Sequence, residues 1–185
     1  GGFVSGVSLA DVASSDAHYR RVRELLVQYE VLFFRDQEQT PSVFAAFAKT
    51  FGKVLGHPAY STVSEAPDVQ ILESTPKNPS KIEVWHSDMT FMQCPPSFTM
   101  LQGQIIPEVG GDTLWASATA AYEALSPQMR AFLTPLKAVN DFRHGFRESL
   151  AEPGGAERLT SAIAENPPVE HPLIRTHPET GRKGI

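Results

Sequence analysis

The heptapeptide Trp85-His86-Ser87-Asp88-Met89-Thr90-Phe91 places an imidazole and a carboxylate two residues apart. In extended backbone, residues i and i+2 project from the same face. His86 and Asp88 can therefore converge on one cation. Joined by a second histidine from a distant strand, they would make a 2-His-1-carboxylate facial triad. The nitrogen and oxygen donors of such a triad suit Fe(II), and its open face leaves room for co-substrate and dioxygen. His-x-Asp alone is a short and common pattern, and a surface histidine paired with a nearby acid has the same spelling. The surrounding sequence has to decide between them.

Outward from that stretch the chain alternates helix and strand signals. Asp16 to Tyr29 carries Val22, Leu25, Leu26 and Tyr29 on one face, which predicts an amphipathic helix. Val31 to Phe34 is short, apolar and β-prone, and predicts a buried strand. Thr40-Pro41 predicts a helix start, with a capping hydroxyl before a first-turn proline; Phe44, Phe47, Ala48 and Phe51 form its apolar stripe, and Gly52 ends it. Val69 to Leu72 predicts a strand and Thr75 to Ser80 a loop. Ser97 to Ile106 and Asp112 to Ala116 predict two strands joined by a turn at Pro107 to Gly111. Ser126-Pro127 predicts a helix, Ala138 to Phe142 a strand, Gly155 to Glu165 a helix, and His171 to His177 an extended segment. The expectation is one mixed domain over residues 1–185, with strands dominating the centre and helices around it.

Composition removes several classes. The 185 residues carry a formal net charge of −5 without a dense Lys/Arg cluster, which argues against a nucleic-acid backbone as partner. No apolar run approaches the roughly 20 residues a membrane span needs. A single cysteine, Cys94, excludes an internal disulfide framework and fits a reducing cytoplasm. The chain opens on Gly1-Gly2-Phe3-Val4 without an initiator Met, and stops at Ile185 just after a turn signal at Thr180-Gly181. The expectation is a longer protein, cut at both ends.

Several pieces, in order along nearly the whole chain, closely resemble the taurine dioxygenase family of Fe(II)- and 2-oxoglutarate-dependent enzymes. They are Val31 to Gln37, Phe51-Gly52, His57-Pro58-Ala59-Tyr60, Trp85 to Phe91, Pro95-Pro96, Gly110-Gly111-Asp112-Thr113-Leu114-Trp115-Ala116-Ser117, Ala121 to Leu125, and His171 to Pro178. The resemblance implies an α+β fold: a double-stranded β-helix, or jelly-roll, of the clavaminate synthase-like type, with flanking helices and an incomplete C-terminal side. It implies His86 and Asp88 as iron ligands, and Thr113 as donor to the distal carboxylate of 2-oxoglutarate. It also implies His57, Tyr60, the Met89 amide and the Phe146 ring at the substrate. Read without the family, Thr113 is a β-branched strand residue, His57 a loop-entry histidine and Tyr60 a half-buried core tyrosine.

The family's second histidine ligand, its 2-oxoglutarate-clamping arginine and its substrate arginine fall beyond residue 185. His144, His171, His177, Arg175 and Arg182 sit in segments that are not ligands there, and are expected to be structural. The 185 residues alone are therefore expected to be inactive. Four residues before His86 the taurine enzymes place an asparagine near the substrate amine, whereas this chain has Ile82. The expected substrate is thus a small anionic sulfonate or alkyl sulfate less polar than taurine, oxidised with dioxygen to release succinate and carbon dioxide. A homo-oligomer, dimer or tetramer, is expected from the resemblance. The rival expectations are a zinc hydrolase using the same His and Asp, and a non-catalytic member of the fold lacking the complete triad.

Overall fold

The computed structural model describes residues 1–37, 39–57, 60–77, 79 and 84–185. The N-terminal part contains β1 (Gly2–Val4), α1 (Leu9–Ser14), α2 (Asp16–Tyr29), β2 (Leu32–Phe34), α3 (Pro41–Thr50), β3 (Thr62–Val63) and β4 (Ala66–Gln70). Local chemistry sets the helix starts: the Ser8, Ser15 and Thr40 hydroxyls accept from backbone amides of the first turns of α1, α2 and α3. Pro41 then stands where a missing N–H costs nothing. Parallel pairing of β1 with β2 sets Phe3 beside Phe33. Leu9, Val12, Val22 and Phe47 form the core of this half, with Leu32, Phe34, Phe51 and Met100 packed around it.

The C-terminal part contains α4 (Ala118–Glu123), α5 (Pro127–Leu133), β5 (Lys137–Asn140), α6 (Phe142–Gly145), α7 (Arg147–Ala151), α8 (Gly155–Glu165), β6 (Val169–Pro172), β7 (Arg175–Thr176) and β8 (Lys183–Gly184). β5 and β6 pair antiparallel with Ala138 opposite His171. A second core joins Phe142, Leu159 and Ala162, with Phe91, Phe146, Leu150 and Ile163 against it. Gly155 is required where α8 meets α7, because a Cβ there would stand 2.0 Å from the Ser149 carbonyl oxygen.

The helices predicted at Asp16–Tyr29 and Gly155–Glu165 form with those bounds, and those predicted at Thr40-Pro41 and Ser126-Pro127 start where their caps stand. The centre differs from expectation. No strand forms in 97–106 or 112–116, and the strands of the described residues make four two-stranded sheets rather than a dominating central one. A strand exists only where its backbone N–H and C=O groups find a neighbouring row, and the described residues supply none beside these segments. Several of their apolar side chains accordingly face outward, Ile105 at 92% exposure, with Leu101, Ile106 and Leu114 also exposed, whereas Phe98 and Met100 pack toward the first core. The strand predicted at Val69–Leu72 lies earlier, at Ala66–Gln70, and Ile71 and Leu72 are exposed. The strand predicted at Ala138–Phe142 ends at Asn140, because the Asp141 side chain accepts from the Arg143 amide and starts α6. Among the described residues no helix is long and apolar enough to cross a membrane.

Candidate metal and substrate site

His86 and Asp88 lie on the irregular segment that follows β4, and their side chains converge. His86 Nε2 stands 3.1 Å from Asp88 Oδ1. The other ring nitrogen, Nδ1, is 2.8 Å from the Val84 carbonyl oxygen. A carbonyl only accepts, so Nδ1 carries a hydrogen and donates it. In the neutral ring Nε2 then presents a lone pair to a carboxylate oxygen, and two acceptors at that distance repel. A shared proton or a metal ion between the two atoms removes that repulsion.

The donors fit a divalent metal. Ligands at about 2.1 Å and at right angles stand about 3.0 Å apart, close to the observed separation. A backbone carbonyl holding the far ring nitrogen is the usual support of a metal-bound histidine. The second carboxylate oxygen is also engaged, since Thr99 Oγ1 donates to Asp88 Oδ2 at 2.7 Å. Among the described residues, no group of three His, Cys, Asp or Glu side chains converges as a complete metal site.

An aromatic wall adjoins the pair. The His57 ring lies 4.6 Å from Tyr60, 5.9 Å from Phe91 and 5.2 Å from Phe146. Phe146 stacks on the fully buried Phe142 at 4.4 Å. Burial lowers the His57 pKa, and the Asp88 charge offsets part of that. Burial and the Asp88 charge both raise the Tyr60 pKa. At neutral pH this leaves a neutral imidazole and a protonated phenol beside the carboxylate. The His57 backbone is clamped from β4, with its N–H donating to Gln70 Oε1 and its carbonyl accepting from Gln70 Nε2, each at 2.7 Å.

Six of the seven residues singled out from sequence thus gather in one region: His86, Asp88, His57, Tyr60, Phe146 and Met89. Met89 opens the turn after Asp88 in a left-handed conformation (φ 51°). Thr113 is exposed on the irregular stretch after Gly110 and Gly111, both at positive φ, and no hydrogen bond among the described residues joins it to His86 or Asp88. Ile82 lies outside the described residues. His177 Nδ1 accepts two amides of its own turn, from Glu179 and Thr180, and Arg182 pairs with Glu30 and Glu123. Sequence reasoning missed Thr99, Gln70, Phe91 and Phe142. Asp141, a capping residue, was the available signal for Phe142; Thr99 and Gln70 act across 11 and 13 residues, which no local pattern reports.

The chain belongs to the taurine catabolism dioxygenase TauD, TfdA family, whose pattern matches residues 2–185. It is 35% identical over 191 residues to an alkylsulfatase of Acinetobacter baylyi, covering all of this chain and 59% of that protein. It is 30% identical over 195 residues to an alpha-ketoglutarate-dependent sulfate ester dioxygenase of Pseudomonas putida, covering all of this chain and 62% of that protein. Its backbone matches a taurine dioxygenase structure from Burkholderia xenovorans with a TM-score of 0.75 at 33% identity, over all of this chain and 58% of that one. It also matches AAD-2, solved with Mn(II) and N-oxalylglycine, with a TM-score of 0.72 at 28% identity, over 99% of this chain and 63% of that one. The chain therefore spans about three fifths of the length of these relatives.

Proposed function

We propose that the protein is an Fe(II)- and 2-oxoglutarate-dependent dioxygenase that oxidises a small organic sulfate ester or sulfonate, releasing succinate and carbon dioxide. The observation that carries this reading is the approach of His86 Nε2 to Asp88 Oδ1 at 3.1 Å with the far ring nitrogen tied to Val84. These two side chains would hold the metal, and Thr113 would take the distal carboxylate of 2-oxoglutarate. Bound together, iron and 2-oxoglutarate supply the activation of dioxygen. We include in this reading a jelly-roll core with flanking helices, a cytoplasmic location and a homo-oligomer.

The chain's own residues do the rest. His57, held neutral by burial, donates one hydrogen bond to the anionic head of the substrate, and Tyr60, held protonated, donates another. The Met89 amide lines the same pocket. Phe146, backed by Phe142 and Phe91, excludes water and takes the apolar part of the substrate. The names of the Acinetobacter and Pseudomonas relatives favour a sulfate ester. Ile82 supports the same choice, since an alkyl side chain offers no hydrogen bond to an amine like that of taurine.

The test is succinate formation by the intact enzyme with alkyl sulfates, alkyl sulfonates, taurine and chlorinated phenoxyacetates. Turnover of alkyl sulfates in step with oxygen consumption, abolished by Asp88→Ala, is the expected result. Unchanged turnover in that variant would sink the ligand assignment. Sulfate release without oxygen or 2-oxoglutarate would identify a hydrolase instead.

A further inference from the structure

His171 is the one buried polar residue among the described residues, at 7% exposure, and the proposed chemistry makes no use of it. It sits on β6, opposite Ala138 of β5, on one of the paired elements of the C-terminal half. Its Nε2 lies 2.9 Å from the Thr90 carbonyl oxygen and 3.0 Å from the Met92 carbonyl oxygen. Both partners are acceptors, so Nε2 carries the hydrogen and shares it between them. The two carbonyls belong to the turn that follows Asp88. The Met92 amide donates to the Met89 carbonyl at 3.0 Å and closes that turn, and Met89 is held in the left-handed region (φ 51°). A non-glycine residue stays there only where its surroundings over-determine it.

We infer that His171 is a positioning residue: its Nε2–H grips the Thr90 and Met92 carbonyls and so aims the Asp88 carboxylate and the Met89 amide. The imidazole stands 81 residues along the chain from Thr90 and couples the hydrogen-bonded β5–β6 pair to a segment without regular structure of its own. Removing the N–H leaves two carbonyls without their donor and frees the turn to relax, which moves the carboxylate away from His86. The inference rests on the reading that His86 and Asp88 hold a divalent metal.

The experiment compares the intact protein with His171→Gln, which keeps an N–H at similar reach, and His171→Met, which keeps the length and removes the donor. Mn(II) affinity is read by calorimetry, and exchange of the Met92 amide by hydrogen-exchange mass spectrometry or NMR. His171→Met is expected to bind Mn(II) about 10- to 100-fold more weakly and to exchange the Met92 amide faster, while His171→Gln recovers most of both. A merely structural histidine would lower thermal stability in the two variants alike without separating their Mn(II) affinities, and that result overturns the inference. So does wild-type affinity and protection in His171→Met. If that variant does not fold, His171→Leu takes its place in the same comparison. If the parent protein binds no Mn(II), the metal reading fails, and Met92 exchange alone decides the role of His171: faster in the variant without the donor supports it, unchanged overturns it.

Discussion

Thr99 Oγ1 donates to Asp88 Oδ2 at 2.7 Å, which leaves Oδ1 as the oxygen that faces His86 Nε2. The hydroxyl thus decides which edge of the carboxylate is turned toward His86. Thr99→Val keeps the shape and removes the donor. Affinity for Mn(II) is expected to fall by about tenfold, the lower end of what losing an outer partner of a metal ligand costs. Titration calorimetry reads this directly; unchanged affinity would mean that the carboxylate is oriented by other contacts.

The His57 imidazole gives the molecule a pH dependence with a definite sign. Its folded pKa lies below the ordinary value because of burial, with Asp88 pulling it part of the way back. As pH falls below the unfolded value of about 6.5, the unfolded chain takes up the proton first. The stability that neutral His57 permits is complete above that pH and is lost as pH falls through the lowered folded value. His57→Phe removes this titration. Urea denaturation at successive pH values should therefore give a steeper acid loss for the parent protein than for the variant, and parallel curves would refute it.

Phe142 is the hub of the aromatic wall, fully buried, stacked on Phe146 and edge-on to Phe91 at 5.1 Å. Phe142→Ala is expected to cost about 3–5 kcal/mol of stability, the usual range for removing a buried phenylalanine. A fall in the urea midpoint at unchanged slope measures it. A loss of under about 1 kcal/mol would show that the second core closes around the gap.

The elements legible from sequence were those whose causes are local. α2, α3, α5 and α8 announce themselves through an apolar face repeating with the helical period, or through a hydroxyl or proline at the first turn. Ser97–Ile106 and Asp112–Ala116 misled because β-prone composition states a capacity to pair, and a partner row is a property of the whole fold. Phe142 was misassigned for a related reason: its apolarity fits a strand end, but the Asp141 cap turns the chain into α6.

Sequence by itself determined that an imidazole and a carboxylate, His86 and Asp88, stand two residues apart, together with the membership written in the motifs around them. Only the tertiary structure decided that His86 turns Nε2 and not Nδ1 toward Asp88, that Thr99 takes the other carboxylate oxygen, and that His171 reaches back to the turn between them. Caps and periodicities act within a few residues and leave a local trace in the chain. The carboxylate oxygen left facing His86 and the hold on the turn after Asp88 depend on packing contacts between residues 11 and 81 apart along the chain. Even the short-range tie of His86 Nδ1 to the Val84 carbonyl leaves no mark in residue type that a sequence pattern could report.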